Sequence, residues 1–178
     1  HFREISMNFL RSTTIAIVFA SALLAGSVHA AEVSMADGSV RFSTPDSWLA
    51  IMETQGDPEA RVFQVPDPSP TGKVSLARVT VTVKQVPDIS SFHQYMGDAT
   101  AKAMALPGYK AAELPPGPNS SIYTAREDNA QFSYTEHYWL KNGHAIQLRC
   151  MRPSQSQAGA AWKAQFDKGC DAVAAQLK

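Results

Sequence analysis

The sequence predicts an α+β fold, an antiparallel β-sheet with helices packed on it. Its periodic segments run strands, helix, three strands, helix, rather than alternating strand with helix as a parallel sheet requires. Two of the late strands meet through Asn142-Gly143, a dipeptide that accepts positive φ and therefore marks a tight hairpin. The segments with helical spacing carry their own start and stop signals.

Taken in order, Val40 to Ser43 follows the Asp37-Gly38 turn, and Trp48 to Met52 follows Thr44-Pro45-Asp46; both read as short strands around a bend. Arg61 to Val65 alternates, and Asp67-Pro68-Ser69-Pro70-Thr71-Gly72 breaks it as a loop. Val74 to Gln85 is the clearest strand. Leu76, Arg78, Thr80, Thr82 and Lys84 share one face of it, and Ala77, Val79, Val81 and Val83 the other. One face is therefore expected to be buried and the other polar.

Asp88-Ile89-Ser90 opens a helix with Phe92, Tyr95, Met96, Ala99 and Ala103 on one side, and Leu106-Pro107-Gly108 ends it. Pro115-Pro116-Gly117-Pro118-Asn119 is a stiff connector. Three strands follow, Ser121 to Arg126, Gln131 to Lys141 and Ala145 to Arg152. Ser154-Gln155-Ser156-Gln157 has the form of a capping box, and Trp162, Phe166, Cys170, Val173 and Leu177 mark the buried stripe of a C-terminal helix.

Residues 7–30 read as a secretory signal peptide with Met7 as the start, Arg11 as the charged region and an apolar run from Ile15 to Gly26. Cleavage is expected after Ala30, and residues 1–6 read as upstream translation. The alternative is an uncleaved N-terminal anchor, but the run falls short of the about 20 residues of a spanning helix. Leu24-Ala25-Gly26-Ser27 has the form of a bacterial lipoprotein box with serine where the lipidated cysteine belongs, so no stable membrane anchor is expected after cleavage. Residues 31–178 then form one globular domain located in the periplasm or secreted.

That domain carries 14 basic and 15 acidic residues, with no run of like charge. A nucleic-acid partner needs a cationic face, so none is expected. Cys150 and Cys170 are the only cysteines. In an oxidising compartment such a pair is expected to bond, closing a loop that stabilises by roughly 3 kcal/mol. A zinc site would need further ligands at recognisable spacing.

Motifs for catalysis are missing. His93, His137 and His144 stand outside any HExxH pattern, and on a strand Glu136 and His137 point to opposite faces. No G-x-S-x-G elbow, P-loop or Gly-x-Gly dinucleotide fingerprint occurs. Glu113, Glu127, Asp128 and Glu136 are expected to be solvated carboxylates. The chain is accordingly read as no enzyme, without cofactor or metal.

What remains is a surface. Arg78, Thr80, Thr82 and Lys84, together with Ser133, Thr135, His137 and Trp139, and with Gln147 and Arg149, are expected to form one polar sheet face with a large aromatic. An ordinary half-solvated sheet, or one covered by the helix from Ser90, is the alternative. The loops from Asp67 to Lys73 and from Lys141 to His144, with Asn142 and His144, are further candidates for holding a partner protein.

Phe42-x-x-Pro45-x-x-Trp48, the helix through Phe92, Tyr134-x-x-x-Tyr138 and the last strand feeding a C-terminal helix resemble the PsbP-like (Mog/PsbP-like) exported domains over most of residues 33–178. That resemblance implies an α/β/α sandwich and an accessory or binding role. Some periplasmic immunity proteins that neutralise type VI secretion effectors are similar in fold. The expectation is a periplasmic module that acts through a protein contact, with inhibition of a secreted effector as its immunity-like form. The alternative is an envelope small-ligand carrier or enzyme whose pocket is roofed by Trp139, Tyr134 and Tyr138.

Overall fold

The computed structural model describes residues 31–114 and 117–178. The expected signal peptide, its cleavage site and Pro115-Pro116 lie outside the described residues. The chain builds β1 (Ala31–Met35), β2 (Val40–Thr44), β3 (Leu49–Thr54), β4 (Glu59–Val65), β5 (Ala77–Gln85), α1 (Ile89–Met104), β6 (Lys110–Ala111), β7 (Ser120–Glu127), β8 (Ala130–Lys141), β9 (His144–Pro153) and α2 (Gly159–Leu177). A seven-stranded antiparallel sheet runs in the order β3-β4-β5-β9-β8-β7-β6, and β1 and β2 pair as a separate hairpin. The α+β class and the packing of helices on both faces are as expected.

Local chemistry explains most element ends. Asp88 caps α1 by accepting a hydrogen bond from the Ser91 N–H at 2.8 Å. Asn142 and Gly143 both hold positive φ between β8 and β9, and Asp128 and Asn129 do the same between β7 and β8. Strand β5 starts at Ala77 rather than Val74. Residues Pro70–Lys73 instead form a 3-10 turn, closed by the Val74 and Ser75 N–H groups on the Thr71 carbonyl, which leaves Val74 82% exposed. The S-x-x-Q segment does not cap α2, because the helix begins later, at Gly159, after Ala158. Ser154 instead shares a hydrogen bond of 3.0 Å with Ser133, and Ser156 accepts from the Ala158 N–H.

Each helix covers half of one sheet face. Val79, Val81 and Val83 stand beside Cys150, Leu148 and Ile146 in register, and α2 buries them with Phe166, Cys170, Val173 and Leu177. The β1–β2 hairpin extends that layer with Phe42, which meets Phe63 edge-on, while Trp48 packs on the other side of the same ring. Burial of each such side chain stabilises by about 1.5–3 kcal/mol. The opposite face is covered by α1, through Phe92 on Tyr138 and Ala145, and through Ala103 on the cluster of Tyr123, Phe132 and Tyr134.

A bond joins Cys150 on β9 to Cys170 on α2, so the terminal helix is stapled to its sheet. Gly169 beside it lets α2 approach Trp48, for a Cβ there would lie 3.0 Å from the indole.

The half-coverage is legible in burial. On β7 and β8 the side chains turned to α1 are mostly buried, whereas those turned to the α2 side remain partly or fully exposed. On β5 the side turned to α2 is buried instead, and β9 between them buries residues toward both helices.

Candidate functional site

The polar sheet face expected from the sequence divides into two. Thr80 pairs with Arg149, and Glu136 pairs with Arg149 on the other side, so Arg78, Thr80 and Arg149 face α1. Thr135 pairs with Cys150, His137 with Leu148 and Trp139 with Ile146, which turns these three to the α2 side. Two candidate groups therefore lie on opposite sides of one sheet. The same parity separates Trp139 from Tyr134 and Tyr138, so these three aromatics roof no common pocket.

Facing α1 is a polar cluster built around Glu136, which is 1% exposed rather than solvated. Its Oε1 accepts from Gln147 Nε2 at 3.0 Å, and the Ser121 hydroxyl reaches Oε2 at 3.5 Å. Arg149 Nε lies 3.1 Å from the same Oε1, an ion pair held by proximity, since that N–H is not aligned for a hydrogen bond. Arg149 donates from Nη2 to the Tyr123 hydroxyl at 3.1 Å and rests over the Tyr134 ring at 5.3 Å. Tyr95 from α1 donates to Gln147 Oε1 at 3.0 Å, and Gln147 donates to the Tyr138 hydroxyl at 3.2 Å.

Burial, with the Glu136 charge behind it, pushes the Tyr95 and Tyr123 phenols up to about 12. Tyr134 and Tyr138 are raised as well, by burial first and then by Glu127 and Glu136 respectively. Burial works against the Arg149 charge, but Tyr123 and Glu136 outweigh it and raise its pKa. The cluster keeps its phenols neutral and its guanidinium charged. Apart from the Arg149 Nε–H, which meets Glu136 only by proximity, its groups bond one another, a polar core in which Tyr95 registers α1 on the sheet.

On the α2 side, the floor beyond the helix is open. A groove of about 520 Å³ runs between α2 and strands β7 and β8, with Ile122, Thr124 and Thr135 on its floor and Phe166 and the disulfide along its inner edge. Ile122 is 42% exposed there. Asp167 and Asp171 stand on the α2 wall; Arg152 grips Asp167 through Nε at 3.0 Å and Nη2 at 3.2 Å. His137 stacks on Trp139 with ring centroids 5.7 Å apart, and its Nδ1 lies 3.1 Å from the Ser120 hydroxyl. Burial lowers its pKa, with the Asp171 charge opposing.

Of the loop candidates, Asn142 occupies the exposed β8–β9 turn, and His144 begins β9 with a buried Nδ1 that finds no partner among the described residues. The Asp67 to Lys73 loop is tied down. Asp67 accepts from the Ser69 N–H at 2.8 Å and from the Ser156 hydroxyl, and Thr71 accepts from the Gln157 N–H at 3.1 Å. Burial opposes the Asp67 charge, but the bonds from Ser156 and Ser69 lower its pKa.

A site missed in the sequence lies on the outer flank of α2. Trp48, Trp162 and Phe166 line a cavity of about 740 Å³ with Pro45, Pro66 and Pro68. Its walls come from segments far apart in the chain, so only the prolines beside Trp48 and Val65 hinted at it.

No protein-family model matches the chain, and no curated protein matches it in sequence. Its fold is nonetheless shared. The chain is similar to the crystal structure of LpqN, involved in cell envelope biogenesis of Mycobacterium tuberculosis, at a TM-score of 0.53 and 12% identity over 83% of this chain and 88% of that one. The likeness is one of fold, which in this chain is an antiparallel sheet with two packed helices. The bonded cysteines belong to the chemistry of oxidising, extracytoplasmic compartments.

Proposed function

We propose that this chain is an extracytoplasmic binding or accessory protein that acts through protein contact. The observation that carries the reading is the open groove beside α2, where an exposed Ile122 and a polar floor adjoin the carboxylates of Asp167 and Asp171. The disulfide supports the compartment, and the likeness to an envelope protein agrees with it. In finer form the partner is a secreted effector that the protein inhibits, as the PsbP-like resemblance suggests.

The test places a photo-reactive residue at position 122 of the full exported chain, with position 90 on α1 as control. The expected result is a discrete adduct with one protein from position 122 alone, whose binding to the purified chain is abolished by Ile122→Asp. Inhibition is then read from the activity of that partner with and without the protein. Equal or absent labelling from both positions would reject the contact reading.

A second reading, a small-ligand carrier, draws support from the cavity walled by Trp48, Trp162 and Phe166, whose size suits a small molecule. A ligand that binds only the native state raises the melting temperature, so a thermal-shift screen over metals, sugars and lipids tests it. A shift that Trp162→Ala removes is the expected sign; no shift with any class rejects it.

A further inference from the structure

Two helices leave two of the four half-faces without a helix, and the groove beside α2 is one of them. On the side turned to α1, strands β7 and β8 bury Tyr123, Ala125, Phe132 and Tyr134 beneath that helix. On the reverse side the same strands show Ile122, Thr124, Ser133, Thr135 and His137, none of them buried. α2 covers side chains of β5 and β9, and its layer also takes in Trp139 of β8. Beyond β9 in the sheet order lie β8 and then β7, and strand spacing sets β7 about 10 Å from β9, close to the separation of about 8–10 Å at which neighbouring helices pack. The eight residues of β7 span about 27 Å, the length of about eighteen helical residues. The open floor along β7 is therefore long enough for one helix.

Its rims are charged. On the α2 rim, Asp171 forms no ion pair among the described residues, and Asp167 is met only by Arg152. On the far rim, Lys110 on β6 and Arg126 on β7 point to the same sheet side, with Glu113 beyond them, and neither base has an acidic partner among the described residues. With Asp167 already met by Arg152, Asp171 is the carboxylate left to favour a basic group on an occupant at α2, and the occupant gains from acid where it meets β6. Between the rims, the exposed Ile122 on an otherwise polar floor of Thr124, Ser133 and Thr135 gives an apolar residue of the occupant one anchor point.

We propose that the occupant of this groove is an amphipathic helix of a partner protein, seated alongside α2 on β7 and β8 with its basic flank against Asp167 and Asp171. The inference rests on the contact reading above and names the class of partner. Recognition follows from ordinary terms: a helix with apolar residues at i, i+3, i+4 and i+7 sets its stripe against Ile122, its polar neighbours meet the threonines of the floor, and its lysines meet carboxylates at the rim. Rim charges direct the choice of partner more than they add affinity.

Two synthetic eighteen-residue helices test it, sharing one Leu/Ala stripe. One carries lysines on one flank and glutamates on the other; the second carries glutamates on both. Titrated into the purified full chain by calorimetry at low salt, the mixed helix is expected to bind at least tenfold more tightly. Asp171→Lys, an exposed change that leaves the core untouched, is expected to remove or invert that preference, and Ile122→Asp to abolish binding of both. Added salt should narrow the difference between the two helices.

Equal affinity for the two helices, an unchanged preference in Asp171→Lys, or no binding of either would overturn the helix assignment. Labelling of a protein from position 122 would still stand in that case, so failure of the helix and failure of the contact reading are told apart. A chain that self-associates through this face would instead show a concentration-dependent mass that Ile122→Asp reduces, and that too would overturn a partner helix.

Discussion

Glu136 and Arg149 differ in what each leaves behind, and this makes their removal unequal. The Glu136 side chain is 2% exposed and that of Arg149 33%. Arg149→Met takes the cation away from a carboxylate that water cannot reach, leaving it only Gln147 and the longer contact to Ser121. Breaking a buried pair in this sense costs about 3–5 kcal/mol. Glu136→Gln keeps an acceptor for Gln147 and leaves an arginine that can turn toward solvent, a loss of about 1.5–3 kcal/mol typical of one charged hydrogen bond. For a domain of this size 1 kcal/mol shifts the melting temperature by about 2–4 °C. Arg149→Met should therefore melt roughly 10 °C below the parent, and Glu136→Gln roughly half as far.

The double variant removes both charges, so its loss should fall short of the sum of the two single losses by about 2 kcal/mol. Urea unfolding of the four proteins, followed by tryptophan fluorescence, closes the cycle. Equal losses from the two single changes would refute the reasoning, as would additivity within about 0.5 kcal/mol, because either result means that the pair is not coupled in a water-poor site.

Other consequences are open to direct measurement. Replacing Cys150 and Cys170 by serine should lower stability by about 3 kcal/mol, the entropy of the loop they close; the loss should equal that produced by a reductant, and an unshifted urea midpoint in both cases would contradict the staple. The four phenols around Glu136 have raised pKa values, so their contribution to stability is fully present below pH 10 and is lost as pH rises toward about 12, where Tyr95 and Tyr123 ionise in the fold. Tyrosinate absorbance should therefore rise late and together with unfolding, and early titration in an intact fold would contradict their burial. Gly72→Ala would place a Cβ 2.1 Å from the Asp67 carbonyl oxygen, so the loop that clasps Ser156 must open. A loss of about 1–3 kcal/mol is expected, measured by thermal unfolding, and no loss would show that the loop bears no load on α2.

Much of the fold was readable locally. The alternation of Ala77 to Val83, the Asn142-Gly143 turn, the Asp88 cap and the stripe from Phe166 to Leu177 each depend on residues a few positions apart, so periodicity and turn chemistry suffice to find them. Strands β1 and β6 escaped notice, the first as five residues with weak patterning beside the expected leader and the second as two residues held only by β7. The burial of Glu136 had a signal that was passed over: it occupies the same parity as Phe132, Tyr134 and Tyr138, so whatever covers those rings covers it.

The candidate face failed for a different reason. Alternation states that neighbours on one strand point apart, but not which parity of one strand shares a side with which parity of the next. That depends on register, and a shift of one residue reverses it. Only the pairing of Thr80 with Arg149 and of Thr135 with Cys150 decided that Arg78 and Arg149 face α1 while His137 and Trp139 face α2.

By itself, then, the chain order determined the α+β class, the elements that carry it and the cysteine pair that closes it, because these follow from local periodicity and composition. Tertiary structure alone decided which half of each sheet face a helix covers. The groove beside α2 exists because two helices on opposite sides cannot cover four half-faces, and no stretch of sequence records where the two uncovered ones fall.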